Sequence, residues 1–207
     1  MIKRDLFPQL LAHLDHPEMS IVIGPRQSGK TTLMRLLIDH LTSQNKNSLY
    51  LNYDLDEDRP HFKTQTDLVA KIRLEIGETG FVFLDEIQRK ENAGLFLKGL
   101  YDMNLPYKFV VSGSGSLELK EKIVESLAGR KRIFTLYPLN FYEFIHYKTE
   151  YRYEAKLLDF FQTDRDRSQR LLAEYLSFGG YPKIVLAQTL DEKKAAIADI
   201  YESYLEK

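Results

Sequence analysis

Gly24-Pro25-Arg26-Gln27-Ser28-Gly29-Lys30-Thr31 has the spacing G-x-x-x-x-G-K-[ST], the arrangement of a loop built to hold phosphate. Its glycines let the backbone turn tightly enough for successive N–H groups to converge on phosphate oxygens, and a helix beginning there adds the positive end of its dipole. Lys30 is placed to reach the β- and γ-phosphates of a nucleoside triphosphate, and Thr31 to reach a magnesium ion. The nucleotide-binding set is therefore Gly24, Pro25, Arg26, Gln27, Ser28, Gly29, Lys30, Thr31 and Thr32, with ATP or ADP as ligand. A second chemical group lies downstream, where Phe81-Val82-Phe83-Leu84 runs into Asp85-Glu86. A buried strand ending in two carboxylates can offer Asp85 to magnesium, usually through water. Glu86, one residue further, can then orient and polarise a water molecule that attacks the γ-phosphate.

These groups need a strand before the loop and a helix after it. Ser20-Ile21-Val22-Ile23 supplies the β-branched run, and Leu33, Leu36, Leu37 and Leu41 recur at helical spacing behind it. Alternation of short apolar runs with helical stretches continues along the chain and indicates an α/β fold with a parallel sheet. Five strands are expected: Ile21–Ile23, Leu49–Tyr53, Phe81–Leu84, Lys108–Ser112 and Arg132–Leu136. An amino-terminal helix is expected over Leu6–Leu14, and further helices over Thr31–Ser43, Asp67–Ile76, Ala93–Asp102 and Glu118–Ala128. Ligands of such sheets lie beyond the carboxyl ends of the strands, where the loop begins.

After Pro138 the strand signal stops, and helices are expected over Phe141–Tyr147, Ala155–Phe161, Arg167–Phe178 and Leu190–Leu205. Gly179-Gly180-Tyr181-Pro182 interrupts them and reads as a turn. The chain divides into a P-loop core, residues 1–137, and a small helical lid-like subdomain, residues 138–207. The last helix keeps its apolar positions Ile197, Ile200, Tyr201, Tyr204 and Leu205 without a glycine or proline stop, the pattern of a chain cut inside a longer protein.

Composition narrows the partners. With 207 residues and 43% hydrophobic content the chain can bury a substantial core, and a formal net charge of -1 gives no global reason to expect nucleic acid. Without cysteine there is no disulfide and no thiol chemistry, as suits a reducing cytoplasm, and no apolar stretch is long enough to span a bilayer. His13, His16, His40, His61 and His146 show no metal-ligand spacing, so no transition metal is assigned.

Several blocks together resemble a family of prokaryotic AAA-like P-loop ATPases whose ATPase domain precedes a carboxyl-terminal domain of uncharacterised function. The phosphate loop and Phe83-Leu84-Asp85-Glu86-Ile87-Gln88 are shared with many P-loop proteins. Narrower are Val111-Ser112-Gly113-Ser114, Leu127-Ala128-Gly129-Arg130, Leu136-Tyr137-Pro138-Leu139-Asn140-Phe141-Tyr142-Glu143-Phe144 and Phe178-Gly179-Gly180-Tyr181-Pro182. The resemblance implies the additional-strand sheet order 5-1-4-3-2, binding and hydrolysis of ATP with Mg2+, and a carboxyl-terminal domain missing here as intramolecular partner. It also implies that Ser112, where many relatives carry threonine, touches the attacking water or the γ-phosphate, against the alternative of a plain serine-glycine turn. Arg130 is expected either to face the phosphates of its own or a neighbouring subunit of a homo-oligomer, or to answer a helix dipole. A P-loop kinase and a nucleotide sensor without turnover are the competing functions; the former lacks an arginine-rich lid, and the latter is disfavoured by an intact Glu86.

Overall fold

The computed structural model describes residues 1–114 and 126–205, so most of the helix expected over Glu118–Ala128 lies outside the described residues. Two compact units are distinguished, a sheet unit (Leu6–Pro25 and Lys30–Leu136) and a helical unit (Tyr137–Lys207 with Met1–Asp5 and Arg26–Gly29).

The sheet unit contains β1 (Met19–Gly24), β2 (Ser48–Asn52), β3 (Gly80–Asp85), β4 (Tyr107–Ser114) and β5 (Lys131–Thr135). Every pairing is parallel and the order is β2-β3-β4-β1-β5, the order 5-1-4-3-2 read from the other edge. β1 is buried along its whole length and β4 along all but its last residue. Their near-continuous apolar runs are what a parallel strand covered on both faces requires. Alternate residues of one strand feed opposite layers. Ile21 and Ile23 join Val82, Leu84, Phe109 and Val111 under α3 (Gln65–Ile76) and α4 (Ala93–Asp102). Val22, Phe83, Val110 and Phe134 instead meet Leu10 of α1 (Leu6–Ala12) and Leu33, Met34 and Leu37 of α2 (Lys30–Ser43).

The end of α1 differs from the expected continuous helix. His13–Asp15 forms a 3-10 turn, and the His13 ring is 2% exposed, 2.8 Å from Ser20 Oγ through Nδ1. Beside it the Lys108 ammonium is buried and donates to the carbonyl oxygens of His16 (2.8 Å) and Glu18. Burial pushes that lysine down to about 8; burial, with Lys108 next in weight, pushes His13 down to about 4.

The helical unit contains α5 (Phe141–Lys148), α6 (Leu157–Thr163), α7 (Arg165–Phe178), α8 (Pro182–Leu186) and α9 (Leu190–Leu205). α5 begins at a capping box: Asn140 Oδ1 accepts from Glu143 N at 2.8 Å, while Glu143 Oε2 accepts from Asn140 N at 3.1 Å. The expected turn after Phe178 is present as a non-helical link at residues 179–181, and Pro182 then opens the short helix α8 at its first position, which was not expected. Gly180 lies where a Cβ atom would come within 2.0 Å of the Leu139 carbonyl oxygen, and its own carbonyl accepts from Leu139 N at 2.7 Å. The Gly-Gly-x-Pro and Pro-Leu-Asn blocks are thus two halves of one backbone junction. Among the described residues, no helix is long and apolar enough to cross a membrane.

Candidate nucleotide site

Parallel pairing brings the ends of β1, β3 and β4 to one edge of the sheet, with Asp85 opposite Asn52 of β2 and Gly24 opposite Ser114. Asp85 is fully buried, and a carboxylate there is costly unless its lone pairs are filled. They are filled by four donors. Oδ2 accepts from Thr31 Oγ1 and from Tyr50 Oη, each at 2.7 Å; Oδ1 accepts from Glu86 N at 3.0 Å and from the Ser112 hydroxyl. Burial, followed by the bond to Asp85, pushes the Tyr50 phenol well above its ordinary range, so it remains a donor at every working pH.

Lys30 opens α2, and its ammonium folds back onto the carbonyl oxygens of Gly24 (3.1 Å) and Pro25 (2.9 Å). Glu86 follows β3 in the left-handed region, φ 56°, a conformation that costs a non-glycine residue roughly 1–2 kcal/mol. Its carboxylate accepts from the Gln88 side-chain amide, whose oxygen accepts from Ser114 N at 3.0 Å. Gln88 therefore ties the ends of β3 and β4 together through the residue next to the buried aspartate.

The middle of the loop belongs to the helical unit. Gln27 and Gly29 have φ values of 60° and 98°, Ser28 is buried with an Oγ lacking any hydrogen-bond partner, and Ser28 O accepts from Arg4 Nη1 at 3.0 Å. Arg4 in turn pairs with buried Glu143 at 3.1 Å and donates to Tyr137 O at 2.5 Å. Arg26, exposed, donates to the carbonyl oxygen of Ser203 in α9. Thr32 is exposed on the first turn of α2.

Lys30, Thr31, Asp85, Glu86 and Ser112 thus lie at the strand ends and the start of α2, with the Ser112 hydroxyl engaged by Asp85. Arg130 lies elsewhere, and its place bears on one of its expected roles. Its carbonyl accepts from Met19 N, the first residue of β1, and its guanidinium pairs with Asp102 at 3.0 Å at the end of α4. A strand as long as β1, roughly 16 Å at about 3.3 Å per residue, separates that position from Gly24. Arg130 cannot face the phosphates of its own loop. Tyr50 and Gln88 were not anticipated: a tyrosine in a strand reads as core, and Gln88 carries no chemistry until Glu86 is seen against it.

Donors and acceptors of this kind fit a magnesium nucleotide. Thr31 and Asp85 present adjacent hard oxygens, the orphaned Ser28 hydroxyl is a buried polar group in the loop, and Lys30 is gathered against the carbonyls of Gly24 and Pro25. The AAA domain family matches residues 16–145, more than half of the chain. An uncharacterized protein of Methanocaldococcus jannaschii is 28% identical over 210 residues, covering all of this chain and 43% of its own length. One from Haemophilus influenzae is 28% identical over 214 residues, covering 98% of this chain and 49% of its own. The chain therefore spans less than half the length of these relatives. The solved structure of the Aeropyrum pernix ORC1 protein in complex with DNA superimposes with a TM-score of 0.49 at 15% identity, over 94% of this chain and 64% of that one. With the loop, the buried acid and the sheet order all in place, the chain belongs to the AAA domain family of nucleotide-binding, ATPase-like P-loop proteins.

Proposed function

We propose that the chain binds ATP with Mg2+ and hydrolyses it, the helical unit responding to the state of the loop. The single observation that carries this reading is the 2.7 Å bond from the Thr31 hydroxyl to the Asp85 carboxylate, which joins the start of α2 to the end of β3. When bound, ATP with magnesium supplies a phosphoanhydride bond and the divalent charge that polarises it. Thr31 and Asp85 would hold the metal, Lys30 the phosphates, and the loop from Gly24 to Thr32 the rest of the triphosphate.

Glu86 serves as the base: its carboxylate takes the proton from water, and the Gln88 amide bonded to it fixes its direction. Ser112 and Tyr50 orient Asp85 through hydroxyl protons that can rotate away as its partners change. The grip of Arg4 on Ser28 O and of Arg26 on Ser203 O holds the middle of the loop to α5 and α9 within the helical unit; in this reading residues 1–137 are the ATPase core and 138–207 its responsive part. The relatives run to about twice the length matched here, and a further domain of that kind would be the client of that response. With Arg130 away from its own loop, a second subunit's Arg130 is the form in which that residue would serve the transition state.

Phosphate release and nucleotide affinity test the reading together. Lys30→Ala should abolish ATP binding by calorimetry, whereas Glu86→Gln should retain it and lower turnover by about 100-fold or more. Unchanged turnover in Glu86→Gln rejects the base, and undiminished affinity in Lys30→Ala rejects the loop. A rate per subunit that rises with protein concentration would support shared sites, and a phosphorylated acceptor in place of free phosphate would turn the reading to a kinase.

A further inference from the structure

The edge of the sheet opposite the phosphate loop holds a second cluster of ligand-type side chains, which the spacing of the histidines in sequence did not indicate. His13, His16 and Glu18 each offer a ligand atom, and these atoms lie within 4.8 Å of one another. His13 Nε2 is 3.8 Å from Glu18 Oε2. That carboxylate oxygen is buried and has no hydrogen-bond partner. A separation of 3.8 Å is too long for a hydrogen bond. It is close to the spacing of two ligands about 2.0–2.2 Å from one tetrahedral ion, roughly 3.4 Å.

The other side of the His13 ring is already fixed. Nδ1 lies 2.8 Å from Ser20 Oγ, the fully buried hydroxyl of β1, and 3.3 Å from Lys108 Nζ, which is committed to two backbone carbonyls. In the tautomer that carries its proton on Nδ1, with Ser20 Oγ accepting, the Nε2 lone pair is left for an ion beside Glu18, the outer-sphere arrangement common to metal-bound imidazoles. The His16 ring is exposed and stacks on His13, centroids 4.9 Å apart and planes 12° from parallel. Being exposed, it can turn about its own side-chain bonds to direct a nitrogen at the same point. His16 also lines a cavity of about 330 Å³ with Asp15, Met19 and Lys108, so its side of the cluster is open to a hydrated ion.

We propose that His13 Nε2, a ring nitrogen of His16 and Glu18 Oε2 form a three-ligand site for a divalent transition ion of the zinc class. Two nitrogens and one carboxylate oxygen suit zinc, cobalt, nickel or copper better than magnesium or calcium. The neighbouring cations Lys108 and Arg132 oppose a second positive centre, so the affinity should be moderate.

The whole chain, stripped with a chelator, is titrated with cobalt(II) while its visible d–d bands are followed, then with zinc in competition. One equivalent should bind with saturation, and His16→Ala and Glu18→Gln should each weaken it by about tenfold or more. Neither change touches the buried core, and thermal melting together with ATP affinity verifies that both variants are folded. Absence of saturable binding overturns the site, and so does unchanged affinity in either variant, because an ion held at Asp85 would not notice them.

Discussion

Each end of the central sheet buries one charge on neighbouring strands, and the two are satisfied in different ways. Asp85, closing β3, is held by three side-chain hydroxyls and one amide. Lys108, near the start of β4, is held chiefly by backbone carbonyls of the segment that leads into β1. Hydroxyls rotate and both donate and accept, so their bonds to Asp85 can be exchanged for a ligand without moving the backbone. Carbonyls fixed by the chain offer no such exchange. The first arrangement is that of a site and the second that of a clamp, although both meet the rule that a buried charge must be partnered.

Replacing each charge should separate the two behaviours. Asp85→Asn should cost under about 2 kcal/mol of stability, since rotating hydroxyls can accept from an amide, yet lower ATP turnover by about 100-fold or more as metal ligation weakens. Melting curves and phosphate release check both halves; a variant that unfolds would make Asp85 a clamp as well. Lys108→Met should do the reverse, costing about 1–3 kcal/mol because the His16 and Glu18 carbonyls lose their donor, with ATP affinity unchanged. A more stable Lys108→Met protein would break the comparison. The smallest effect is expected of Tyr50→Phe, which removes one of Asp85's four donors at about 0.5–1.5 kcal/mol, measured by denaturant unfolding, with a shift in magnesium dependence. Equal losses in Tyr50→Phe and Asp85→Asn would mean that the donors do not act independently.

Most of the sheet and the chemical core of the site were legible in the sequence because they are local. The lysine, the threonine and the two acids sit at strand and helix ends that announce themselves by hydrophobic pattern. α4 and α9 occupy the expected spans without adjustment. What escaped depends on register between distant segments. Tyr50 reaches Asp85 only because β2 pairs beside β3, and the Gly180 junction exists only because Leu139 comes against it. The place of Arg130 was in principle deducible: a residue immediately before a parallel strand lies on the edge away from the loops that follow the strands. The His13, His16 and Glu18 cluster was hidden because a 3-10 turn, and not a helix, brings its members together.

Glu143 gives the order of synthesis a consequence. Its buried carboxylate caps α5, accepts from Asp5 N at 2.7 Å and pairs with Arg4, whose guanidinium also holds the Ser28 carbonyl. Arg4 is made before its partner, which lies 139 positions later. At about 5–20 residues per second the ribosome needs roughly 7–28 s to supply it. Through that interval the phosphate loop is complete in sequence and without the Arg4–Glu143 pair that steadies its middle, so a nascent chain should become a firm nucleotide binder only after α5 has emerged.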